Sequence, residues 1–148
     1  MLEVSSAGTA GGNSYTLSST GGTLYANAKI NTYTLNVNFT ANTGVSSVKV
    51  CKTSGNCSGT NLMGTVSSSG SSVSSLVYNT AYYLYPSFST NYEFSAWAKT
   101  SGSGTLSATN TSNPTFTIGA GNGTVTVTGK SSCQTSVSGT MQAFNPCS

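Results

Sequence analysis

The chain has 148 residues, which suits one domain, or one domain with parts of its neighbours. Charged residues make up only 5% of it, and histidine and arginine are absent, so the usual acid–base catalyst and the guanidinium fork for phosphate groups are missing. Scattered lysines give a net charge of +3 without a basic stripe, and no apolar run approaches the roughly 18 residues that cross a bilayer, so neither a nucleic-acid partner nor a membrane span is expected.

Alternation of β-branched and aromatic residues with a period of two recurs along the chain and predicts a mainly β protein. In chain order the predicted strands are Tyr15–Ser18, Thr23–Ala28, Thr32–Phe39, Val45–Lys52, Val73–Tyr78, Tyr82–Ser89, Tyr92–Lys99, Thr115–Ile118, Thr124–Lys130 and Thr135–Phe144. In Thr32–Phe39 the apolar residues share one face and Thr34, Asn36 and Asn38 share the other, which predicts a strand with one solvated side.

Turn residues separate these strands. Asn122-Gly123 predicts a two-residue type I′ hairpin, because both central residues of that turn need a positive φ. Thr43-Gly44 and Ser101–Gly104 predict further breaks. Pro86 interrupts an aromatic run, and since proline has no N–H for a ladder hydrogen bond, we expect this strand to lie at an edge or to carry a bulge there.

Four cysteines, Cys51, Cys57, Cys133 and Cys147, occur in a chain whose composition resembles that of exported β proteins. An even count predicts two disulfides in an oxidising compartment, and local pairs, Cys51–Cys57 and Cys133–Cys147, are favoured among three connectivities. A zinc site would need all four thiolates, and the spacings do not match paired C-x₂-C knuckles. We therefore expect no metal and no cofactor, and an extracellular or cell-surface location.

Catalytic chemistry has few residues on which to rest. Glu93 is the only internal carboxylate, and it is expected to face solvent between two aromatic neighbours, so the protein is predicted not to be an enzyme. An isopeptide bond between a lysine and an asparagine, promoted by Glu93, is an alternative that requires burial of the acid and the amine. Cys133-Gln134 permits a thioester, but a disulfide from Cys133 is favoured.

A tyrosine-rich stretch supplies the candidate ligand contacts. On a strand, alternate rings face opposite sides, so Tyr83 and Tyr85 are predicted to be exposed while Tyr82 and Leu84 pack inward. An exposed pair of tyrosines can stack on sugars or contact a protein, and the alternative is a pair half-buried on an amphipathic sheet. N-x-[ST] sequons begin at Asn38, Asn56, Asn110 and Asn122.

Several motifs together resemble an internalin B-repeat, a member of the Listeria–Bacteroides repeat family of bacterial surface proteins. The matching segments are Tyr33–Val37, Gly44–Val48, Tyr82–Pro86, Tyr92–Trp97 with its Tyr-x-Phe-x-x-Trp pattern, Asn113–Ile118 and Gly123–Val127. The resemblance implies a β-grasp-like module with antiparallel or mixed sheet pairing. The insertion Cys51–Cys57, the Ser-rich stretch 67–75 and the lack of a clear helix depart from the pattern, and an immunoglobulin-like β-sandwich is the alternative.

The resemblance also divides the chain. Residues 1–31 are expected to hold a Gly/Ala/Ser-rich linker and the tail hairpin of a preceding repeat, 32–130 the repeat-like domain, and 131–148 a disulfide-stapled extension. The first residues lack the basic and apolar regions of a signal peptide, so the chain is expected to be a piece of a longer exported protein.

These expectations point to a non-catalytic module of a bacterial surface or secreted protein. It would act as an adhesin spacer or interaction module, with a host-surface protein or a glycan as ligand and neighbouring repeats of the same chain as partners. The alternatives are a subunit of an extracellular filament assembled by strand donation, and a carbohydrate-binding module.

Overall fold

The computed structural model describes residues 29–132. Within them the backbone forms strands almost throughout, with one turn of 3-10 helix over Gly59–Asn61. The strands are β1 (Thr32–Phe39), β2 (Val45–Cys51), β3 (Leu62–Val66), β4 (Ser71–Val77), β5 (Ala81–Phe88), β6 (Tyr92–Gly102), β7 (Thr105–Leu106), β8 (Thr115–Thr117) and β9 (Gly123–Ser131).

These strands make two sheets. The four-stranded sheet has the order β4-β1-β9-β6, and its central pair, β1 and β9, runs parallel. The five-stranded sheet has the order β3-β2-β5-β8-β7 and is antiparallel throughout. The mainly β class, with mixed and antiparallel pairing, is therefore confirmed.

One hydrophobic core lies between the inner faces of the two sheets. Alternate residues of β1 and β9 enter it from one side, and alternate residues of β2 and β5 enter it from the other. Its fully buried members include Leu35, Val37, Val48, Val50, Val66, Leu76, Leu84, Trp97, Phe116, Val125 and Val127. Two sheets that share a core form a sandwich, and between residues 29 and 132 the one helical element is the turn Gly59–Asn61, so the described residues do not show the packing of a helix on a sheet that a β-grasp-like module would have. The strand order nevertheless differs from the immunoglobulin arrangement of strands ABED and CFG.

A β-bulge explains an irregularity in the pattern of β4. Val73 and Leu76 are both buried although they lie three residues apart, a spacing that would place them on opposite faces of a regular strand. On β1, Leu76 pairs with Tyr33 and Val73 pairs with Leu35. These partners are only two residues apart, so β4 carries one extra residue here. Ser75 accommodates it with a φ of 61°, in the left-handed region.

A second bulge, on β6, explains the spacing of the aromatic residues in the Tyr-x-Phe-x-x-Trp element. Phe94 pairs with Gly129 and Ala96 pairs with Thr128, so β6 has one residue more than β9 at this point. The extra residue brings Phe94 and Trp97 to the same side, where Trp97 is 2% exposed and Phe94 packs against the core. The element thus contributes two aromatic rings to one core.

The segment before β8 covers the outer edge of β6. The backbone N–H of Trp97 donates to the carbonyl of Thr109 at 2.8 Å, and its indole Nε1–H donates to the carbonyl of Ser112 at 3.1 Å. Edge strands with unpaired backbone groups invite pairing with other chains, and this contact occupies one such position.

Most strand predictions within the described residues agree with the structure. The ends differ by three residues at most, as for β6, which ends at Gly102 instead of Lys99. β3 and β7 were missed, because Leu62–Val66 contains a glycine and a methionine in place of β-branched alternation, and because β7 has two residues. The predicted strands Tyr15–Ser18, Thr23–Ala28 and Thr135–Phe144 lie outside the described residues, as do most of the segments 1–31 and 131–148.

The hairpin prediction at Asn122-Gly123 is wrong. Neither residue has a positive φ, and the segment connects β8 in one sheet with β9 in the other. Asn122 instead joins three parts of the chain, because its carbonyl accepts from the N–H of Ser103 at 2.9 Å and its Oδ1 accepts from the N–H of Thr34 at 2.9 Å.

The other two predicted breaks are found, although β6 continues through Ser101 and Gly102 of the second one. β1 and β2 are separated at Thr43-Gly44, and β6 gives way to β7 at Gly104, whose φ of 105° suits glycine. A Cβ at Gly104 would lie 2.6 Å from the Phe116 ring, so the turn has no room for a side chain at this position. β8 pairs only with Ala81–Tyr83 of β5 and does not extend to Pro86. On that side, Pro86 has no neighbouring strand in the described sheet, so it lies at an edge, as predicted.

Candidate ligand-contact face

The outer face of the five-stranded sheet carries the candidate tyrosines. On β5, Tyr82 and Leu84 point into the core with 2% and 0% exposure, so the alternate residues Tyr83 and Tyr85 point outward. The same alternation on β2 places Lys49 outward between Val48 and Val50. Lys49 is directly opposite Tyr85 and Cys51 directly opposite Tyr83 in the register of the two strands.

A disulfide joins Cys51 to Cys57, as predicted, with a Cα–Cα distance of 5.4 Å. Cys51 lies at an outward position of β2, yet it is fully buried. The chain leaving β2 therefore folds back over its own strand and covers the outer face at that end of the sheet. The predicted partner bridge, Cys133–Cys147, lies outside the described residues.

Tyr85 holds the tip of this disulfide loop. The backbone N–H of Gly55 donates to the Tyr85 hydroxyl at 2.7 Å, and Gly55 has a φ of 72°. Thr53 and Asn56 form an isolated antiparallel bridge across the loop, and the Ser58 hydroxyl donates to Asn56 Oδ1 at 2.9 Å. These bonds close a short loop whose backbone is fixed at both its base and its tip.

Lys52 begins the loop and is exposed, while its backbone N–H donates to the carbonyl of Asn61 at 2.8 Å. We call the surface formed by Lys49, Tyr83, Tyr85 and the loop 53–57 the tyrosine–lysine face. It combines two aromatic rings, one ammonium group and a fixed turn on one side of one sheet.

The tyrosines of this face are less exposed than the alternation alone predicts. Tyr83 and Tyr85 are both half-buried, since the disulfide loop lies beside them. The more exposed rings of the described chain are Tyr78, at 50%, and Tyr92, at 37%. Each of these two tyrosines nevertheless keeps part of its surface open to solvent.

The acidic residue lies on the other sheet. Glu93 on β6 pairs with Lys130 on β9 through Oε1 and Nζ at 3.2 Å, and their side chains are 54% and 59% exposed. Glu93 therefore faces solvent, as predicted, and the burial that an isopeptide bond requires is not met at this carboxylate. Among residues 29–132 neither Lys49 nor Lys52 has a carboxylate partner.

Other candidate chemistry finds little support in the part of the chain that the structure describes. No group of three or more metal-ligating side chains occurs between residues 29 and 132, and no helix there could cross a membrane. Cys133-Gln134 lies beyond this range. Of the four sequons, Asn56 and Asn110 are exposed, Asn38 is half-buried on β1, and the side chain of Asn122 is bonded to Thr34.

Comparison with known proteins gives no match to a family model, a curated protein or a solved structure.

Sequence reasoning missed Lys49 as a member of this face. Lys49 was treated as one of several scattered lysines, although its alternation with Val48 and Val50 already placed it outward. Its position beside Tyr85 depends on the register between β2 and β5, which local sequence does not specify.

Proposed function

We propose that the chain is a non-catalytic interaction module of a bacterial surface or secreted protein, and that its tyrosine–lysine face is the surface that contacts a ligand. The observation that carries the proposal is the disulfide loop bound to Tyr85. A covalent cross-link and a backbone hydrogen bond fix this exposed turn beside two half-buried tyrosines. A surface fixed in advance loses less conformational entropy when a ligand binds.

The scaffold supports a display role. Its core is closed by both sheets, and the outer edge of β6 is covered at Trp97 by the segment before β8. A module of this kind can stand in an array of repeats, as the resemblance to internalin B-repeats implies. That resemblance rests on sequence motifs alone, and the two aromatic residues of one of them, Phe94 and Trp97, pack in the core.

The described residues also favour binding over catalysis. The one carboxylate between residues 29 and 132 is exposed and paired with Lys130, and it lies on the sheet opposite to the tyrosine–lysine face. A general acid or base needs reach to a reacting group in a site that excludes water, and Glu93 lies on an open sheet face.

The test uses beads coated with the full chain. We expect them to adhere to surfaces that carry cell-wall or host-surface material, and we expect adhesion to fall after Tyr83→Ala combined with Tyr85→Ala. Tyr78→Ala is the matched control, since Tyr78 is more exposed but lies outside the face. Beads that adhere to nothing, or a control that lowers adhesion as much as the double variant, would contradict the proposal.

Assembly into a filament is the alternative that needs a separate measurement. Strand donation requires a place for an added strand, and in both sheets each strand is bonded to the next, so addition is open only at an outer edge such as β4 or β3. Electron microscopy and light scattering over a range of concentrations decide between the two functions, because an adhesive module stays monomeric where a filament subunit assembles.

A further inference from the structure

We propose that the tyrosine–lysine face binds acidic polysaccharides, in which pyranose rings carry carboxylates. This inference rests on the proposed function and names its ligand class. It depends on three properties of the face: an uncompensated positive charge, the placement of an ammonium beside an aromatic ring, and a backbone that is fixed before binding.

Among the described residues, the charge on this face has no acidic partner. Lys49 lies on β2 at an outward position and is exposed. The one carboxylate between residues 29 and 132, Glu93, lies on the four-stranded sheet and is already paired with Lys130. The tyrosine–lysine face therefore presents an ammonium group with no described carboxylate to neutralise it, which favours an anionic ligand.

The ammonium and the ring lie within reach of one sugar unit. Lys49 and Tyr85 are direct partners across β2 and β5, and side chains so placed have Cβ atoms about 4.5–5.5 Å apart. A pyranose ring lying on the aromatic surface can thus direct its carboxylate to the Lys49 ammonium. Aromatic rings offer apolar contact to the C–H face of a sugar, while the charge selects the acidic sugars from the neutral ones.

A second ring extends the surface along the strand. Tyr83 lies two residues from Tyr85 on the same face of β5, a separation of roughly 6.6–6.8 Å. Thr65 lies beside Lys49 on β3, and Thr115 lies beside Tyr83 on β8, so one hydroxyl group borders the lysine and another borders a ring. Rings in a row with polar groups at the sides suit an extended chain of sugars more than a compact anion.

The disulfide loop gives the face its rigidity. The Tyr85 hydroxyl accepts the Gly55 N–H, and this bond restrains the ring as well as the loop. Because the ring is held before a ligand arrives, little rotamer freedom remains to be lost on binding. The substitution Tyr85→Phe removes this hydrogen bond. It keeps the aromatic surface but releases the loop.

The experiment measures binding of the full chain to polygalacturonate by isothermal titration at low ionic strength. Fully methyl-esterified galacturonan presents the same rings without charge, and polyphosphate presents charge without rings. We expect binding to polygalacturonate alone, with an affinity that falls as salt is added, because exposed charges are screened within about 8 Å at physiological ionic strength.

Paired charge variants locate the site. Lys49→Gln is expected to lower the affinity for polygalacturonate about fivefold, the range of one exposed ion pair, and Lys49→Arg to retain most of it. Lys130→Gln removes the same charge from the other sheet and is expected to change the affinity less than twofold. Circular dichroism and a peptide map of the Cys51–Cys57 bridge check that each variant is folded.

Three results would overturn the proposal. Equal binding of polyphosphate would mean that charge alone attracts the ligand, and equal losses from Lys49→Gln and Lys130→Gln would mean that the face is not the site. Absence of binding to polygalacturonate would reject the ligand class. If the coated beads still adhere to a surface through Tyr83 and Tyr85, the broader interaction function stands while this ligand class fails.

Discussion

The bulge in β4 allows a test in which two neighbouring serines respond in opposite directions to the same substitution. Ser75 has a φ of 61°, whereas Ser74 is not among the residues with a positive φ, and both side chains are exposed on the same strand. An L-residue in the left-handed region is destabilised by roughly 1–2 kcal/mol, and glycine removes that penalty. Glycine also raises the entropy of the unfolded chain, which lowers the free energy of unfolding by about 0.5–1 kcal/mol.

The two effects give a definite expectation. Ser75→Gly is expected to raise the free energy of unfolding by about 0.75 kcal/mol, the difference between the midpoints of the two ranges. Ser74→Gly gains nothing from relief of strain, so it is expected to lower that free energy by about 0.5–1 kcal/mol. Since the unfolded-state contribution is common to both, the difference of about 1–2 kcal/mol between the variants measures the backbone strain at Ser75.

Urea unfolding followed by circular dichroism supplies the measurement, with the midpoint compared at equal slope. A stabilisation of this size corresponds to a rise in melting temperature of about 3–6 °C for a domain of this length. If Ser75→Gly destabilises the protein as much as Ser74→Gly does, the left-handed backbone at Ser75 is not under strain.

Three other perturbations have expected outcomes. Replacing Cys51 and Cys57 together by serine is expected to lower the free energy of unfolding by about 2 kcal/mol, the entropic value for a loop with a sequence separation of 6; an unchanged urea midpoint would contradict this. Trp97→Ala is expected to cost about 3–5 kcal/mol, because the largest buried side chain of the core is lost, and a loss below 1 kcal/mol by the same assay would refute its central role. Glu93→Gln is expected to change stability by less than about 0.5 kcal/mol, since its ion pair is exposed, and a larger loss in thermal melts would show a buried role for this carboxylate.

The strands could be predicted where alternation is regular and turns are marked. Thr32–Phe39 is found with the bounds that its alternation predicted, because each apolar residue of β1 enters the core and each polar one faces outward. Prediction failed at β3, whose Gly64 and Met63 give no period-two signal. β3 forms because it pairs with the edge of β2 and because Val66 is buried in the core. Both are tertiary interactions, which local sequence does not specify.

Connections between sheets could not be predicted from local residues. Asn122-Gly123 has the composition of a hairpin turn, yet β8 and β9 belong to different sheets. The conformational preference of two turn residues does not decide the pairing when each flanking strand pairs with other strands. Here β9 pairs with β1 and β6, and β8 pairs with β5 and β7. The same limit applies to Lys49, whose place beside Tyr85 follows from strand register.

The position of the disulfide connects the scaffold to the proposed ligand. Cys51 alternates with the core residues Val48 and Val50 and so faces outward, which means that its bridge adds nothing to the packing between the sheets. The bridge instead turns the chain back over the outer face, where Gly55 meets the hydroxyl of Tyr85. The outward position of Cys51 therefore places the fixed loop on the same side of the sheet as Lys49 and the two tyrosines, while Glu93, the described acid, lies on the other sheet.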